Sequence, residues 1–262
     1  MTPFFTSDRG SIYKARAEDV YPLIEPGSVS LVISDGPYGM SKADWDRMKP
    51  RDLPEWYGPH IEAWGEVCAP SATVYVWGTD EGEGYLRAPM REAGWTFRGA
   101  ITWDKGNPAG LIFAAQHAGW GDATERCGVW QRGKPFDNAR GTNVWRMGHG
   151  SWTHERLSTG KIGVSIGGDT EWKEPVHPCQ KPIAWSERML LASCPVDGLT
   201  LEPFGGTCRA AVACERLPRD EARRYVCVEP DEDGRDYLPA ILPQLRYDPA
   251  DDEVGLQPGL FQ

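Results

Sequence analysis

No stretch of the 262 residues approaches the roughly 20 consecutive apolar side chains that span a bilayer. The opening MTPFFTSDRG lacks the charged head and apolar run of a secretory signal, so a cytoplasmic location is expected. Cysteine is present but unorganised. The seven (Cys68, Cys127, Cys179, Cys194, Cys208, Cys214 and Cys227) are odd in number and contain no C-x-x-C pair. That argues against a disulfide scaffold and a structural zinc site, and no metal is expected. His60, His117, His149 and His154 likewise lack ligand spacing and read as structural or phosphate-contacting. Basic charge is scarce, with 28 Lys and Arg against 38 Asp and Glu and a net charge of −10. That argues against a general nucleic-acid binder, whose basic surface carries most of its affinity. Also missing is the G-x-G-x-x-G pattern of nicotinamide enzymes, since only Gly205 and Gly206 stand at the candidate turn.

What is present is unevenly spread. Between residues 126 and 161 lie seven cations (Arg126, Arg132, Lys134, Arg140, Arg146, Arg156, Lys161) against two acids, a local charge of +5. Between residues 215 and 253, twelve acids face six arginines. Such a basic island can hold phosphates on an acidic whole, with Trp130, Trp145 and Trp152 interleaved to wedge or stack on displaced bases. Its alternative reading is a solvated loop.

Short β-branched and aromatic runs predict strands at 11–15, 29–34, 73–77, 97–103, 127–131, 199–202 and 225–229. Helices are expected at 53–68, 82–93, 183–193 and 207–217. The alternation implies a largely parallel sheet covered on both faces. Residues 1–247 read as one catalytic domain that includes an irregular insert over 106–175, and residues 248–262 as a flexible acidic tail.

Three stretches carry chemistry. Ser34-Asp35-Gly36-Pro37-Tyr38-Gly39 follows the apolar run 29–33, which sets Asp35 at the carboxyl end of a strand, where ligands gather in open α/β sheets. A plain β-turn would use the same residues. Leu199 to Arg209 reads as strand, tight glycine turn and helix start, whose free N–H groups suit a cofactor's polar tail. Glu229 ends the next strand, where an acid can hold ribose hydroxyls. His177-Pro-Cys-Gln-Lys181-Pro182 precedes an amphipathic run.

In this order the three resemble the β-type amino-methyltransferases of DNA. That family places D/N/S-P-P-Y first, a target-recognition segment in the middle, then H-P-x-x-K-P, then D-P-F-x-G-S-G. The resemblance runs from about Ile12 to Tyr237. It implies a Rossmann-like S-adenosylmethionine-dependent methyltransferase fold in permuted motif order, with a mostly parallel seven-stranded sheet and helices on both faces. Asp35, Gly36, Pro37 and Tyr38 would form the catalytic motif: Asp35 accepts one N–H of an exocyclic amine, the Gly36 carbonyl the other, and Tyr38 stacks on a flipped base. Glu202, Pro203, Phe204, Gly205, Gly206, Thr207 and Glu229 would hold S-adenosylmethionine, with His177 and Lys181 bordering the same pocket. The basic residues of the middle segment would bind DNA. Family habit implies a homodimer. A restriction endonuclease partner and the recognition sequence are not legible.

The chain also departs from the pattern. Gly36 replaces the first proline of the catalytic motif, Glu202 the leading Asp, and Cys208 the last glycine of the cofactor turn. A Cβ at Cys208 must avoid positive φ or carry strain. Asp at position 35 is commoner with adenine and Ser with cytosine, so adenine N6 is expected, with cytosine N4 the alternative. An RNA or protein amino-methyltransferase usually shows the opposite motif order. An inactive DNA- or cofactor-binding homologue would draw on the Gly36 and Cys208 departures.

Overall fold

The computed structural model describes residues 1–40, 46–106, 123–147, 157–164, 171–177, 179–231 and 236–246. Eleven strands are seen: β1 (Phe5–Thr6), β2 (Gly10–Tyr13), β3 (Val29–Ser34), β4 (Cys68–Gly78), β5 (Thr96–Asp104), β6 (Thr124–Arg132), β7 (Val144–Arg146), β8 (Ser158–Val164), β9 (Glu171–Pro175), β10 (Leu199–Glu202) and β11 (Arg224–Val228). Nine form one sheet in the order β1-β2-β11-β10-β3-β4-β6-β5-β7, while β8 and β9 pair as a separate antiparallel ribbon. The seven strands from β2 to β5 match the expected sheet, and β1 and β7 extend its edges. Strands β2, β11, β10, β3 and β4 run parallel, and β6 runs against both its neighbours.

The helices are α1 (Ala17–Val20), α2 (Leu53–Val67), α3 (Asp80–Glu92), α4 (Ile183–Ser193), α5 (Arg209–Arg216) and α6 (Leu238–Leu245). None is long and apolar enough to cross a membrane. Helix α3 starts where Thr79 Oγ1 accepts the Gly82 N–H and three acids occupy the first turn, favourably placed at the positive end of the helix dipole. Alternating residues of β3 and β4 feed two cores. Leu31, Ile33, Tyr75 and Trp77 pack with α4, α5 and α6, whereas Val29, Val32, Val74 and Val76 pack with α2 and α3. Both faces are covered, which is why these strands read as continuous apolar runs.

The sheet's order reverses at its centre. From β3 the chain crosses by α2 to β4 on one side, and from β10 by α5 to β11 on the other. A crevice opens at such a switch point beyond the strand ends. Asp35, Glu202 and Glu229 follow or end the strands that border it.

The span 106–175 does not behave as one insert. Strand β6 lies inside the sheet between β4 and β5, and β7 closes its edge. The buried Cys127, Trp130 and Trp145 explain why: these side chains belong to the core. The tail 248–262 lies outside the described residues.

Candidate active site

The cleft has a cavity volume of about 300 Å³ and is walled by the ends of β3 and β10, the start of α2, and residues 177–186. Asp35, Gly36 and Pro37 meet Glu202 to Thr207, Glu229, His177 and Lys181 there, so most of the residues singled out in the sequence come together. Tyr38 adjoins them through Asp35.

At the β3 end the groups are charged and paired. The Lys181 ammonium donates to both Asp35 oxygens at 2.9 Å, and the Tyr38 hydroxyl donates to Asp35 Oδ1 at 2.5 Å. Lys181 also reaches Glu125 at 3.1 Å, and Glu125 takes Lys105 at 2.5 Å. Burial alone would lower the Lys181 pKa, but the Asp35 and Glu125 charges outweigh it and raise the value. Burial would raise Glu125, yet the two ammonium groups pull it down to about 2. Tyr38 is pushed up by burial and then by the Asp35 and Glu125 charges, so its hydroxyl stays a donor. Lys181, expected beside the cofactor, therefore has its ammonium committed to the Asp35 carboxylate.

The loop after β3 is fixed by a residue that the sequence motif does not include. Asp46, almost wholly buried, accepts main-chain N–H groups from Tyr38 at 2.7 Å, Gly39 at 2.6 Å and Met40 at 3.0 Å. Three such bonds to one carboxylate hold a turn firmly, since a bond to a charged group is worth about 1.5–3 kcal/mol. Asp46 ends the Ala43-to-Asp46 stretch that follows the catalytic motif in the family resemblance, whereas Glu125 has no sequence signature and is found only through partners that the fold supplies.

At the β10 end main chain dominates. Gly205 N–H donates to the Val228 carbonyl at 2.8 Å, and Gly206 N–H to Glu229 Oε2 at 2.7 Å. Gly206 needs its φ of +52°, and a Cβ there would stand 3.2 Å from the His177 ring. Cys208 adopts φ +46° and so carries the left-handed strain that a side chain brings, about 1–2 kcal/mol. Its buried thiol is held by packing beside Gly205. The Glu202 carboxylate accepts the Ala210 N–H at 3.1 Å and the Cys227 thiol at 3.0 Å. Burial raises its pKa to about 7, against the lowering by those two donors. Donor atoms of Glu202, Cys208 and Cys227 lie within 4.8 Å of one another, but burial keeps the Cys227 thiol protonated and turned onto Glu202.

Between the two ends stand aromatic walls. Trp56, His60 and Phe204 pack together at 4.7 to 5.0 Å, and Trp77 and Trp185 also line the cleft. Trp185 Nε1 is buried without a hydrogen-bond partner among the described residues, an unused donor on the cleft wall. A glycine turn, an acid at the end of the next strand, apolar walls and this volume fit an adenosine-bearing cofactor.

The basic island divides. The Arg132 guanidinium donates to the Gly65, Cys68 and Ala69 carbonyls at the end of α2 and lies over the Trp95 ring. It is thereby removed from the DNA-binding set, because those carbonyls and the ring already occupy its charge. Arg126 is held by Asp80 at 2.9 Å and by Thr102. Trp130 and Trp145 are core residues with 1% and 5% exposure, which corrects their reading as wedges or stacking groups. Lys134, Arg140 and Arg146 are exposed, Arg146 with Asp104 at 3.3 Å. Arg156 and Trp152 lie outside the described residues, as does the Lys161 side chain, although Lys161 itself falls in β8.

A parallel sheet with one inner antiparallel strand, an acid-and-glycine turn on β10 and β11, and an Asp-Gly-Pro-Tyr loop on β3 define a Rossmann-like methyltransferase. The DNA methylase model for N6 and N4 enzymes matches residues 29–237, and the chain belongs to that family. It is an S-adenosylmethionine-dependent DNA methyltransferase of the amino-group class. Type II methyltransferase M2.DpnII of Streptococcus pneumoniae is 22% identical over 255 residues, covering 88% of each chain. M2.LlaDCHI of Lactococcus lactis subsp. cremoris is 25% identical, covering 83% of this chain and 84% of its own. Among solved structures, the cytosine-N4-specific PvuII DNA methyltransferase superposes with a TM-score of 0.69 at 15% identity, over 94% of this chain and 89% of that one. The M1.HpyAVI–SAM complex does so with a TM-score of 0.63 at 16% identity, over 91% of this chain and 100% of that one. At those identities the superpositions speak for the fold.

Proposed function

We propose that the chain methylates the N6 amino group of adenine in DNA, with Asp35 and the Gly36 carbonyl as the acceptors that grip the amine. The observation that carries this reading is the Asp35 carboxylate at the cleft, pinned by Lys181 and Tyr38 and bordering the glycine turn. A carboxylate offers about four acceptor positions, so those bonds leave Asp35 room for one amine N–H. Gripping both N–H groups favours a pyramidal nitrogen whose lone pair is no longer spread into the ring. The cofactor supplies a methyl group already activated on a sulfonium, so the protein's work is alignment. As the N–C bond forms and the methyl–sulfur bond breaks to leave a neutral thioether, Asp35 would take the amine's surplus proton and pass it to solvent. Glu229 would hold ribose hydroxyls, Glu202 the cofactor's amino group, and Phe204 to Thr207 its methionine part. Tyr38 would stack on the flipped base. Cytosine N4 presents the same atoms and remains the second reading. Digesting methylated DNA to nucleosides and weighing the modified one separates them: N6-methyldeoxyadenosine supports the proposal, and N4-methyldeoxycytidine overturns the choice of base.

For the DNA itself, Lys134, Arg140 and Arg146 are the exposed cations of the basic segment among the described residues. Replacing Arg140 and Arg146 by alanine should flatten the salt dependence of DNA binding, each lost phosphate contact removing about 0.9 from the slope of log K against log salt. Superimposable curves would place recognition elsewhere. The homodimer implied by the family is tested by sedimentation at micromolar concentration, where a monomer would exclude it.

A further inference from the structure

The catalytic loop contains a glycine that the surrounding side chains leave no room to change. A Cβ built on Gly36 would lie 2.6 Å from the Tyr57 hydroxyl and 2.9 Å from the Phe204 ring, distances real Cβ atoms essentially never show. Both neighbours come from elsewhere in the chain, Tyr57 from α2 and Phe204 from the turn after β10. Tyr57 cannot withdraw. Its exposure is 1%, and its ring is packed edge-on against Trp56, Trp64 and Phe204. Phe204 is only half-buried at the cleft and can tilt. The Tyr57 hydroxyl is buried without a hydrogen-bond partner among the described residues, so it acts on the Gly36 peptide by contact and not by a bond. The hydroxyl therefore stands 2.6 Å from where any side chain at position 36 would begin, against the peptide whose carbonyl the mechanism uses.

We infer that Tyr57 is a positioning residue for the methyl transfer: its hydroxyl takes the place of side-chain bulk at position 36 and fixes the Gly36 peptide in its orientation. Glycine samples many more conformations than proline, so without an external stop this peptide would be the loosest part of the clamp. Asp46 secures the loop from Tyr38 onward, and Tyr57 secures it on the other side. The inference rests on the reading of Asp35 and Gly36 as the amine clamp.

The test is a double-mutant cycle of Gly36→Ala and Tyr57→Phe, read in kcat at saturating cofactor and in Tm. Gly36→Ala should lower kcat more than tenfold and lower Tm. Tyr57→Phe should lower kcat several-fold while the dissociation constant for S-adenosylmethionine stays within twofold. The double variant should recover kcat to the Tyr57→Phe level or above, because removing the hydroxyl frees the space the new methyl needs. Wild-type kcat in Gly36→Ala, or a double variant no better than Gly36→Ala, would overturn the inference. Coupling in Tm without coupling in kcat would leave the packing intact and place the fault in the clamp reading. If Gly36→Ala yields no folded protein, folding of the double variant supports the proposal and its failure to fold overturns it.

Discussion

The two ends of one cleft are built by opposite means. At the β3 end, side-chain charges that neutralise one another, Asp35 with Lys181 and Glu125 with Lys105, sit in a buried network, and a further carboxylate ties down the loop. At the β10 end, main-chain N–H groups, two left-handed residues and a Glu202 whose pKa burial raises to about 7 shape the turn. The first arrangement suits a site that must hold a reacting amine in one orientation, since charged hydrogen bonds are directional and buried. The second suits a ligand with many weak polar points. Damage to the first end should therefore appear in kcat, and damage to the second in cofactor affinity.

Lys181→Met should have the largest effect. It leaves Asp35 and Glu125 facing each other without their shared cation, and breaking a buried pair costs about 3–5 kcal/mol. Methyl transfer should fall at least about a hundredfold and Tm should drop, with cofactor affinity little changed. An equal loss of affinity in calorimetry would return Lys181 to the cofactor's side and erase the contrast. Glu229→Ala comes next, in the opposite column. Cofactor binding should weaken by about 1.5–3 kcal/mol, the worth of a hydrogen bond to a charged group, while kcat at saturating cofactor holds. The smallest effect is a pH dependence. Glu202 has a pKa raised to about 7, so it is mostly neutral below that value and ionised above it. Affinity for the cationic cofactor should increase as pH rises through about 7, and Glu202→Gln should flatten that rise. The same shift has a stability consequence. The folded state holds a proton that the unfolded chain releases near pH 4.5, so this contribution is full below about 4.5 and lost as pH climbs through about 7. Wild type and Glu202→Gln melting curves recorded from pH 5 to 8 check it.

How much of this was legible depended on how local each signal was. Strands β3 and β10 and helix α4 fall on the expected residues because each is a short apolar segment bounded by turn formers. Helix α6 escaped notice because Pro239 and Pro243 interrupt its period, although apolar packing of Leu238, Ile241 and Leu245 overrides them. The Asp35 and Gly205-Gly206 turns stood out because strand ends and glycine turns leave a written trace. Glu125 leaves none, since it acquires meaning only from distant partners, while Asp46 and Lys105 lie in stretches that resemble the family but do not spell out the bonds they make. Arg132 shows the converse: local charge counting assigned it to DNA, while the carbonyls at the end of α2 claim it.

The account stands or falls on the separation between gripping the amine and holding the cofactor, and Asp35→Ala addresses it in one preparation. Methyl transfer to DNA and the calorimetric dissociation constant for S-adenosylmethionine would be measured on the same folded sample. The account predicts transfer reduced by about three orders of magnitude, near 4 kcal/mol of transition-state stabilisation, with the dissociation constant within a few-fold of wild type. Transfer above about a tenth of wild type, a loss under 1.4 kcal/mol, would contradict it.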